Sequence, residues 1–587
     1  MDDSKNLIMA IVLSSLVMMV YMLFFAPKVD PANDPALTPA PAVDEAPAIE
    51  SEPLKSREAV VSTGQRVKID TPQLSGSFLV EGSRFDDIQL KNYKKTLAED
   101  SPNLTLLTPQ GAEKAAYIFD NWTASIGSSG ANTPWQLVSG DTLTPDKSVV
   151  MAYDAGGFKV TRTVSVDENF LITLDDQVTN TSSQEISITR VGVSRQHGLP
   201  NDLTNFFILQ EGPISILDSK LDYAKYKKLR KEKTITNQGA GGWVALTDKY
   251  WLSAAIAPQG KPMTANFNYR LLNDVEVYEA SYALDPVTLT PNATINSVGH
   301  IFAGAKDRNI LIDYEDNIGI DQMELAIDYG RLRLLTQPMT LVLSKFGHWL
   351  GNFGLGIMLL TLIIKIVLFP LFNKQYASQA KMKKVQPKLK KIQTLYKDDR
   401  MKLQQEMMAL YRKEGVNPAA GCLPIIPTIF VFFSLYKCVF INVELRHAPF
   451  FGWIQDLSAR DPLSVLNGFG LFPWGTGAEA GMLSFLAIGP LAILYGVSMS
   501  LIYTLTPQTA AGGGSEQAEM MAKMMKWMPW IFMFVLAPFA AGLLVYWVWN
   551  NILSFAQQYY ITRKFKVDTP VDAFFRKLKG QDGPKDA

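Results

Sequence analysis

The chain has 587 residues, 47% of them hydrophobic, and 56 Lys+Arg balance 56 Asp+Glu, which fits a membrane protein carrying a sizeable soluble part. Two cysteines, Cys422 and Cys438, share one apolar run and four histidines, His197, His300, His348 and His447, are scattered, which argues against a disulfide framework or a metal centre. The zero net charge conceals a separation: residues 27–345 hold 30 basic against 40 acidic residues, net −10, and residues 346–587 hold 25 against 14, net +11, as expected of two parts facing different compartments.

Leu7–Phe25 is an uncharged run of 19 residues behind a short MDDSKN head. A cleaved signal peptide would have an apolar core of about 7–15 residues followed by small residues at the cut. Here bulky Tyr21–Phe25 runs straight into Ala26-Pro27, so an uncleaved anchor is expected over 1–26. Residues 27–58 are rich in Pro, Ala, Asp and Glu and poor in aromatics, a disordered linker by composition.

From 59 to 337, short alternating runs such as Phe78–Val80, Phe158–Val166, Phe170–Val178 and Ile186–Val193 are separated by Gly, Asn, Asp and Ser turns. That pattern predicts an antiparallel β-sandwich. It carries no zinc spacing, nucleophile elbow or phosphate loop. GAGGW at Gly239–Trp243 reads as a glycine turn beside a packed tryptophan. The pairs Asp86/Asp87 and Asp175/Asp176 are adjacent in sequence, so on a strand they point to opposite faces and cannot share a substrate. A binding or spacer module is expected rather than an enzyme.

Residues 338–351 place Leu341, Val342, Phe346, Trp349 and Leu350 on one face, which predicts an amphipathic helix lying on the membrane. Phe353–Phe372 follows, 20 apolar-dominated residues with Lys365 inside, seven residues before the end. That puts the cation roughly 10 Å into the span, at a cost of about 3 kcal/mol unless water or a partner meets it. Lys365 is therefore either a snorkelling side chain or a functional charge.

Residues 373–415 hold 12 Lys+Arg against 4 Asp+Glu and belong in the cytoplasm. Met382, Val385, Leu389, Ile392 and Tyr396, then Leu403, Met407 and Leu410, repeat at spacings of 3 and 4, predicting a two-helix hairpin over 374–415. Its exposed basic face includes Lys381, Lys383, Lys384, Lys388, Lys390 and Lys391.

Further spans are expected over about 422–441, 482–505, 520–539 and 541–560, with Lys437 snorkelling outward from the first of these. Met520, Met521, Met524, Met525, Met528 and Met533 offer an adaptable apolar surface, or ordinary packing. Arg563, Lys564 and Lys566 hold the tail, 564–587, inside. Six crossings with both termini cytoplasmic put the acidic domain outside, in agreement with the charge rule.

In the last span Trp547, Asn550, Asn551, Ser554 and Gln558 fall at offsets 0, 3, 4, 7 and 11, one polar face that must meet protein or water rather than lipid. Thr361 sits one turn before Lys365, and Tyr495, Ser498 and Tyr503 add polar groups on the fourth span. These groups are either interhelical glue or the lining of a hydrated groove around Lys365. No carboxylate lies within the spans, which weighs against a proton-coupled transporter. A solute or ion transporter using Lys365 as its binding charge stays as the alternative, and so does an anchored periplasmic ligand-binding protein.

TLIIKIVLFPLFNKQYASQAKMKKVQPKL, QQEMMALYRKEGVNP, GCLP, VELRHAPFFGWIQDLS and GLLVYWVWNNILSFAQQYYITR occur in that order. Together they resemble the YidC membrane protein insertases of Gram-negative bacteria from about Gly330 to Arg563, and GGWVALTDKYW at 241–251 extends the match. The resemblance implies a membrane α-helical fold of six transmembrane helices with a five-helix insertase core. It adds a periplasmic all-β supersandwich domain and a cytoplasmic helical hairpin that recruits clients. It implies a hydrophilic groove whose positive residue matches Lys365, where many members have arginine, and whose substrate-contacting positions match Thr361 and Trp547. With the polar residues above, the expected groove is Lys365, Thr361, Trp547, Asn550, Asn551, Ser554, Ser498 and Tyr503. Expected partners are nascent membrane proteins, the Sec translocon, the lipid bilayer and, as further candidates, the ribosome and the signal recognition particle receptor. No cofactor, metal or specific nucleic acid is implied, and the expected location is the bacterial inner membrane. Residues 468–481 look longer than the family pattern and receive no role.

Overall fold

The computed structural model describes residues 54–125, 132–200, 203, 209–396, 399–416, 425–472, 486–506 and 516–578. The anchor expected over 1–26, nearly all of the linker and the end of the tail lie outside the described residues. The chain divides into two compact units, one ending at Arg331 and the other starting at Leu332.

The first unit is built on two large sheets, one of eleven strands and one of nine, almost wholly antiparallel. In the eleven-stranded sheet Ile186–His197 pairs with Ala116–Ala124 on one side and Val275–Leu284 on the other. In the nine-stranded sheet Leu171–Asn180 lies between Phe158–Val166 and Thr294–Ala305. The predicted strand Phe158–Val166 is reproduced residue for residue, with Phe158, Val160, Arg162, Val164 and Val166 buried. The period of two that hides the valines carries Arg162 inside with them.

That arginine is neutralised within the core. It faces Asp176 in the strand register and forks onto it with Nε–Oδ1 and Nη2–Oδ2 distances of 2.7 Å. Asp120 reaches it from the opposite sheet: Nη1 donates to the Asp120 carbonyl at 2.7 Å, and Nη2 lies 3.3 Å from Asp120 Oδ1. Arg190 Nε reaches the same Asp120 oxygen at 2.8 Å, Trp122 Nε1 donates to Asp176 at 2.9 Å, and Tyr282 donates to Asp120. Gly192 makes room for that last bond, since a Cβ there would stand 2.2 Å from the Tyr282 ring. Burial pushes the Asp176 carboxyl up, but Arg162 and Arg190 outweigh it and hold it below the usual range. Asp176 is fully buried while neighbouring Asp175 is exposed, so the expected split of this pair holds. Asp86 likewise pairs with Arg66 and Arg84, and Asp87 with Arg57 and Ser77.

Of two further expectations for this unit, one holds and one moves. Trp243 is fully buried behind Gly241 and Gly242, and a Cβ on Gly242 would meet the Ile216 carbonyl at 1.9 Å, which agrees with the turn reading. The linker ends sooner than 58, because Ser56 caps a short helix over Arg57–Val61 and Arg57 already binds Asp87.

The second unit is helical. Its helices are α1 (Arg333–Leu350), α2 (Phe353–Val367), α3 (Phe369–Leu395), α4 (Arg400–Lys413), α5 (Ile425–Ile441), α6 (Pro490–Leu505), α7 (Glu516–Leu536), α8 (Ala541–Lys564) and α9 (Pro570–Leu578). Helix α1 starts five residues before the expected 338 and buries Thr336, Thr340, Leu343 and Gly347. Of the apolar face expected on it, Trp349 is exposed, while Leu341, Val342, Phe346 and Leu350 are half-buried. It is fastened through Ser344 and His348 to Glu444, with His348 Nε2 2.7 Å from the carboxylate.

The 20-residue span expected over 353–372 is not one helix. Helix α2 stops at Val367 and α3 departs at 69°. Pro370 sits in the first turn of α3, where its missing N–H costs nothing, whereas in a straight helix its ring would clash with the Ile366 carbonyl. No single described helix is long and apolar enough to cross a membrane alone; the bent pair α2–α3 passes only together. Of the span expected over 482–505, residues 482–485 lie outside the described residues, and the described part is an α-helix over Pro490–Leu505. The span expected over about 520–539 lies on α7, which begins at Glu516 and ends at Leu536. The hairpin helices α3 and α4 pack through Met382, Val385 and Leu389 against Met407, Leu410, Tyr411 and Val416, close to the heptad reading.

Candidate functional site

Helix α8 is the spine of the second unit, packed against α2, α3 and α6. Because α2 ends at the bend, Lys365 stands in its last turn, where the helix carbonyls favour a cation. Its Nζ donates to Ser554 Oγ at 2.6 Å and lies 4.6 Å from the centre of the Phe372 ring on α3. Ser554 Oγ donates in turn to the Asn550 carbonyl at 2.6 Å, leaving its lone pairs to the ammonium. The half-buried lysine is thus held on the polar face of α8 rather than reaching away along its own helix.

Beyond the bend lies a cavity of about 370 Å³ lined by Phe372, Gln375, Tyr376, Gln379, Thr428, Ile429, Phe432, Ile502, Thr506 and Gln558. Gln558 Nε2 donates to Gln379 Oε1 at 3.0 Å, while Gln558 Oε1 is buried with no hydrogen-bond partner. The lining is uncharged and mostly apolar, with the amides of Gln375, Gln379 and Gln558 and the hydroxyls of Thr428 and Thr506 set among aromatic and isoleucine side chains. Gln375 and Gln379 were missed in the sequence, although NKQYASQA sets them four apart on one helix face.

The other expected groove residues divide. Asn551 Nδ2 donates to Ser498 Oγ at 3.1 Å, and Ser498 Oγ donates to the Tyr495 carbonyl at 2.9 Å, a buried tie between α6 and α8. Asn550 meets Ser554 through its backbone, and Tyr503 is half-buried near the end of α6. Trp547 is 5% exposed and stacks on Phe432 at 5.6 Å and 11° with Tyr495 and Phe539 around it, a packing cluster above the polar stripe. Thr361 is 2% exposed and its hydroxyl donates to the Ile357 carbonyl at 2.7 Å, so it faces the helix interior and not the cavity. Lys437, expected to snorkel outward, is instead 5% exposed, buried together with Leu435, Tyr436, Cys438, Val439 and Ile441.

On the hairpin, Lys381, Lys384, Lys388, Lys390 and Lys391 are exposed, and Lys388 pairs with Glu414 at 2.7 Å. Lys383 departs from the rest. Its ammonium is enclosed, and burial lowers its pKa against the pull of Asp572. Among the described residues no group of His, Cys, Asp and Glu is placed to hold a metal.

The family described as 60Kd inner membrane protein matches residues 345–568, and the YidC periplasmic domain matches 66–342. A membrane protein insertase YidC of Maricaulis maris is 40% identical over 531 residues, 90% of this chain and 88% of that protein. Its counterpart in Dinoroseobacter shibae is 40% identical over 98% of this chain and 99% of its own length. A solved structure of an active YidC insertase aligns with 85% of this chain and 93% of its own at 18% identity, with a TM-score of 0.35, too low to carry the fold by itself. Two family matches in tandem and relatives of this identity over nearly the whole length leave one assignment: the chain belongs to the YidC family of membrane protein insertases.

Proposed function

We propose that this chain inserts nascent membrane proteins into the bacterial inner membrane by giving their hydrophilic segments a polar resting place inside the bilayer. The observation that carries the reading is the Lys365–Ser554 contact at the α2–α3 bend, with the Lys365 ammonium over the ring of Phe372, which also lines the cavity that holds Gln375, Gln379 and Gln558. An incoming helical hairpin places its polar outer segment against Lys365 and the glutamines. Its apolar part then moves into lipid, driven by about 25 cal/mol per Å² of apolar surface transferred. No bond is made or broken, so neither an enzymatic step nor a nucleotide is required.

In this reading the chain is multi-pass, with both termini and the α3–α4 hairpin cytoplasmic and the β unit periplasmic. The net charges of −10 and +11 support that orientation. The exposed lysines of the hairpin receive clients, alone or beside the Sec translocon, with the ribosome and the signal recognition particle receptor as candidate suppliers.

The test is photocrosslinking from Gln375 or Gln558 to a stalled nascent membrane protein. Adducts are expected from both positions and far fewer from lipid-exposed Leu494 on α6. Absence of cavity adducts, together with solute flux by the purified protein in vesicles, would establish the transporter reading instead.

A further inference from the structure

Between α5 and α6 the chain makes an uncharged loop, Pro462–Phe472, that leaves Val465 51%, Phe469 45% and Leu471 85% exposed. The exposure is built, not incidental. Ser464 and Asn467 form a reciprocal capping box, with Asn467 Oδ1 accepting from the Ser464 and Gly470 backbone N–H groups at 2.9 and 3.1 Å. Both polar residues are buried, so the loop hides its polar groups and shows its apolar ones. Phe469 is held at φ 55, a conformation that a bulky side chain adopts only when its surroundings impose it.

The loop is also pinned to the start of α6. Val465 N–H donates to the Ile488 carbonyl at 2.9 Å. Asp461 accepts from the Leu491 N–H at 3.0 Å, from Leu463 N–H at 3.1 Å and from Trp453 Nε1 at 3.0 Å. On α6 itself Leu494, Val497 and Leu501 form an exposed apolar face. At about 1.5 Å per residue, its 16 residues span roughly 24 Å, short of the roughly 30 Å hydrocarbon core.

From this geometry we infer that the 464–472 loop is a lipid anchor, which seats Val465, Phe469 and Leu471 in the interfacial region of the outer leaflet. It continues the apolar face of α6 and offsets the helix's shortfall. Three properties select lipid over a protein partner. The loop lacks charge, it is hydrogen-bonded to the start of a helix whose apolar face is exposed, and it displays the aliphatic and aromatic residues that favour the interface. The inference rests on the proposal that α6 crosses the bilayer.

The experiment uses the full chain in vesicles, with Cys422 and Cys438 replaced by Ala and an environment-sensitive fluorophore placed in turn at Leu471→Cys, Leu501→Cys and Glu99→Cys. All three positions are exposed, so labelling them removes no packing. Spin-labelled lipid should quench Leu471→Cys as it quenches Leu501→Cys, and aqueous iodide should quench only Glu99→Cys. Quenching of Leu471→Cys by iodide and not by lipid would overturn the anchor while leaving the membrane reading intact. Protection from both quenchers would overturn it in favour of a protein partner or a second copy. Loss of lipid quenching at Leu501→Cys as well would overturn the membrane reading itself.

Discussion

Lys365 Nζ stands 2.6 Å from Ser554 Oγ, so the positive charge of one helix is held by a hydroxyl 189 residues further along the chain. The charge is fixed beside the cavity, and the proposed mechanism turns on that position.

Removing the acceptor should therefore matter more than removing a nearby hydroxyl that faces elsewhere. Ser554→Ala is expected to slow insertion of a client with an acidic outer segment about ten- to a hundredfold in proteoliposomes, the scale of one hydrogen bond to a charged group. Lys365→Glu should nearly abolish it and Lys365→Arg preserve it. Thr361→Val should stay near wild type, because the Thr361 hydroxyl is already bonded to Ile357. A Thr361→Val defect as large as that of Ser554→Ala would contradict the placement of these side chains.

The bend depends on Pro370. In Pro370→Ala the α2–α3 angle of 69° should open, because the ring no longer excludes a continuous helix. Spin labels on exposed Ile363 and Leu395 should move apart in a pulsed-EPR distance measurement, and insertion should weaken with them. An unchanged distance distribution would show that packing against α8, not the proline, holds the bend.

In the β unit, Asp176→Asn removes one of the two carboxylates that Arg162 and Arg190 share, leaving Asp120 alone against two buried guanidinium groups. Breaking one partner of a buried ionic network costs about 3–5 kcal/mol, so thermal unfolding followed through the β-sheet circular dichroism signal should shift clearly downward. Asp175→Asn, on the exposed side of the same strand, should leave it within error.

The same unit should lose stability in acid. Burial, reinforced by Arg195 and Arg84, pushes His197 from 6.5 down to about 4, and burial with Arg190 does the same to His300. The unfolded chain takes up these protons first, so the stability they contribute is complete above about pH 6.5 and falls as pH drops towards 4. Each histidine accounts for up to about 3 kcal/mol. Denaturant unfolding at pH 7 and pH 4.5 should show a smaller loss for a His197→Gln/His300→Gln variant than for the wild type.

Much of this protein was legible residue by residue. The strict alternation of Phe158–Val166, the hairpin seam at Met382, Val385 and Leu389, and the turn before Trp243 all follow from local periodicity and backbone freedom, and all appear as expected. The polar face of α8 was equally visible, because a helix places residues 3, 4 and 7 apart on one side whatever it packs against.

Composition and hydrophobic period determined that a β unit precedes a helical one, that a lysine sits in an apolar run, and that α8 carries an amide stripe. Tertiary structure decided what those polar groups meet. A period of two buries Arg162 as readily as Val160, and only the opposite sheet brings Asp120 to it. Hydropathy reads 353–372 as one span, but Pro370 turns the chain and brings Gln375 and Gln379 to the cavity. Thr361 and Lys365 lie one turn apart, yet one hydroxyl bonds inward while the ammonium bonds to Ser554, because a longer side chain reaches a neighbouring helix and a short one returns to its own carbonyl.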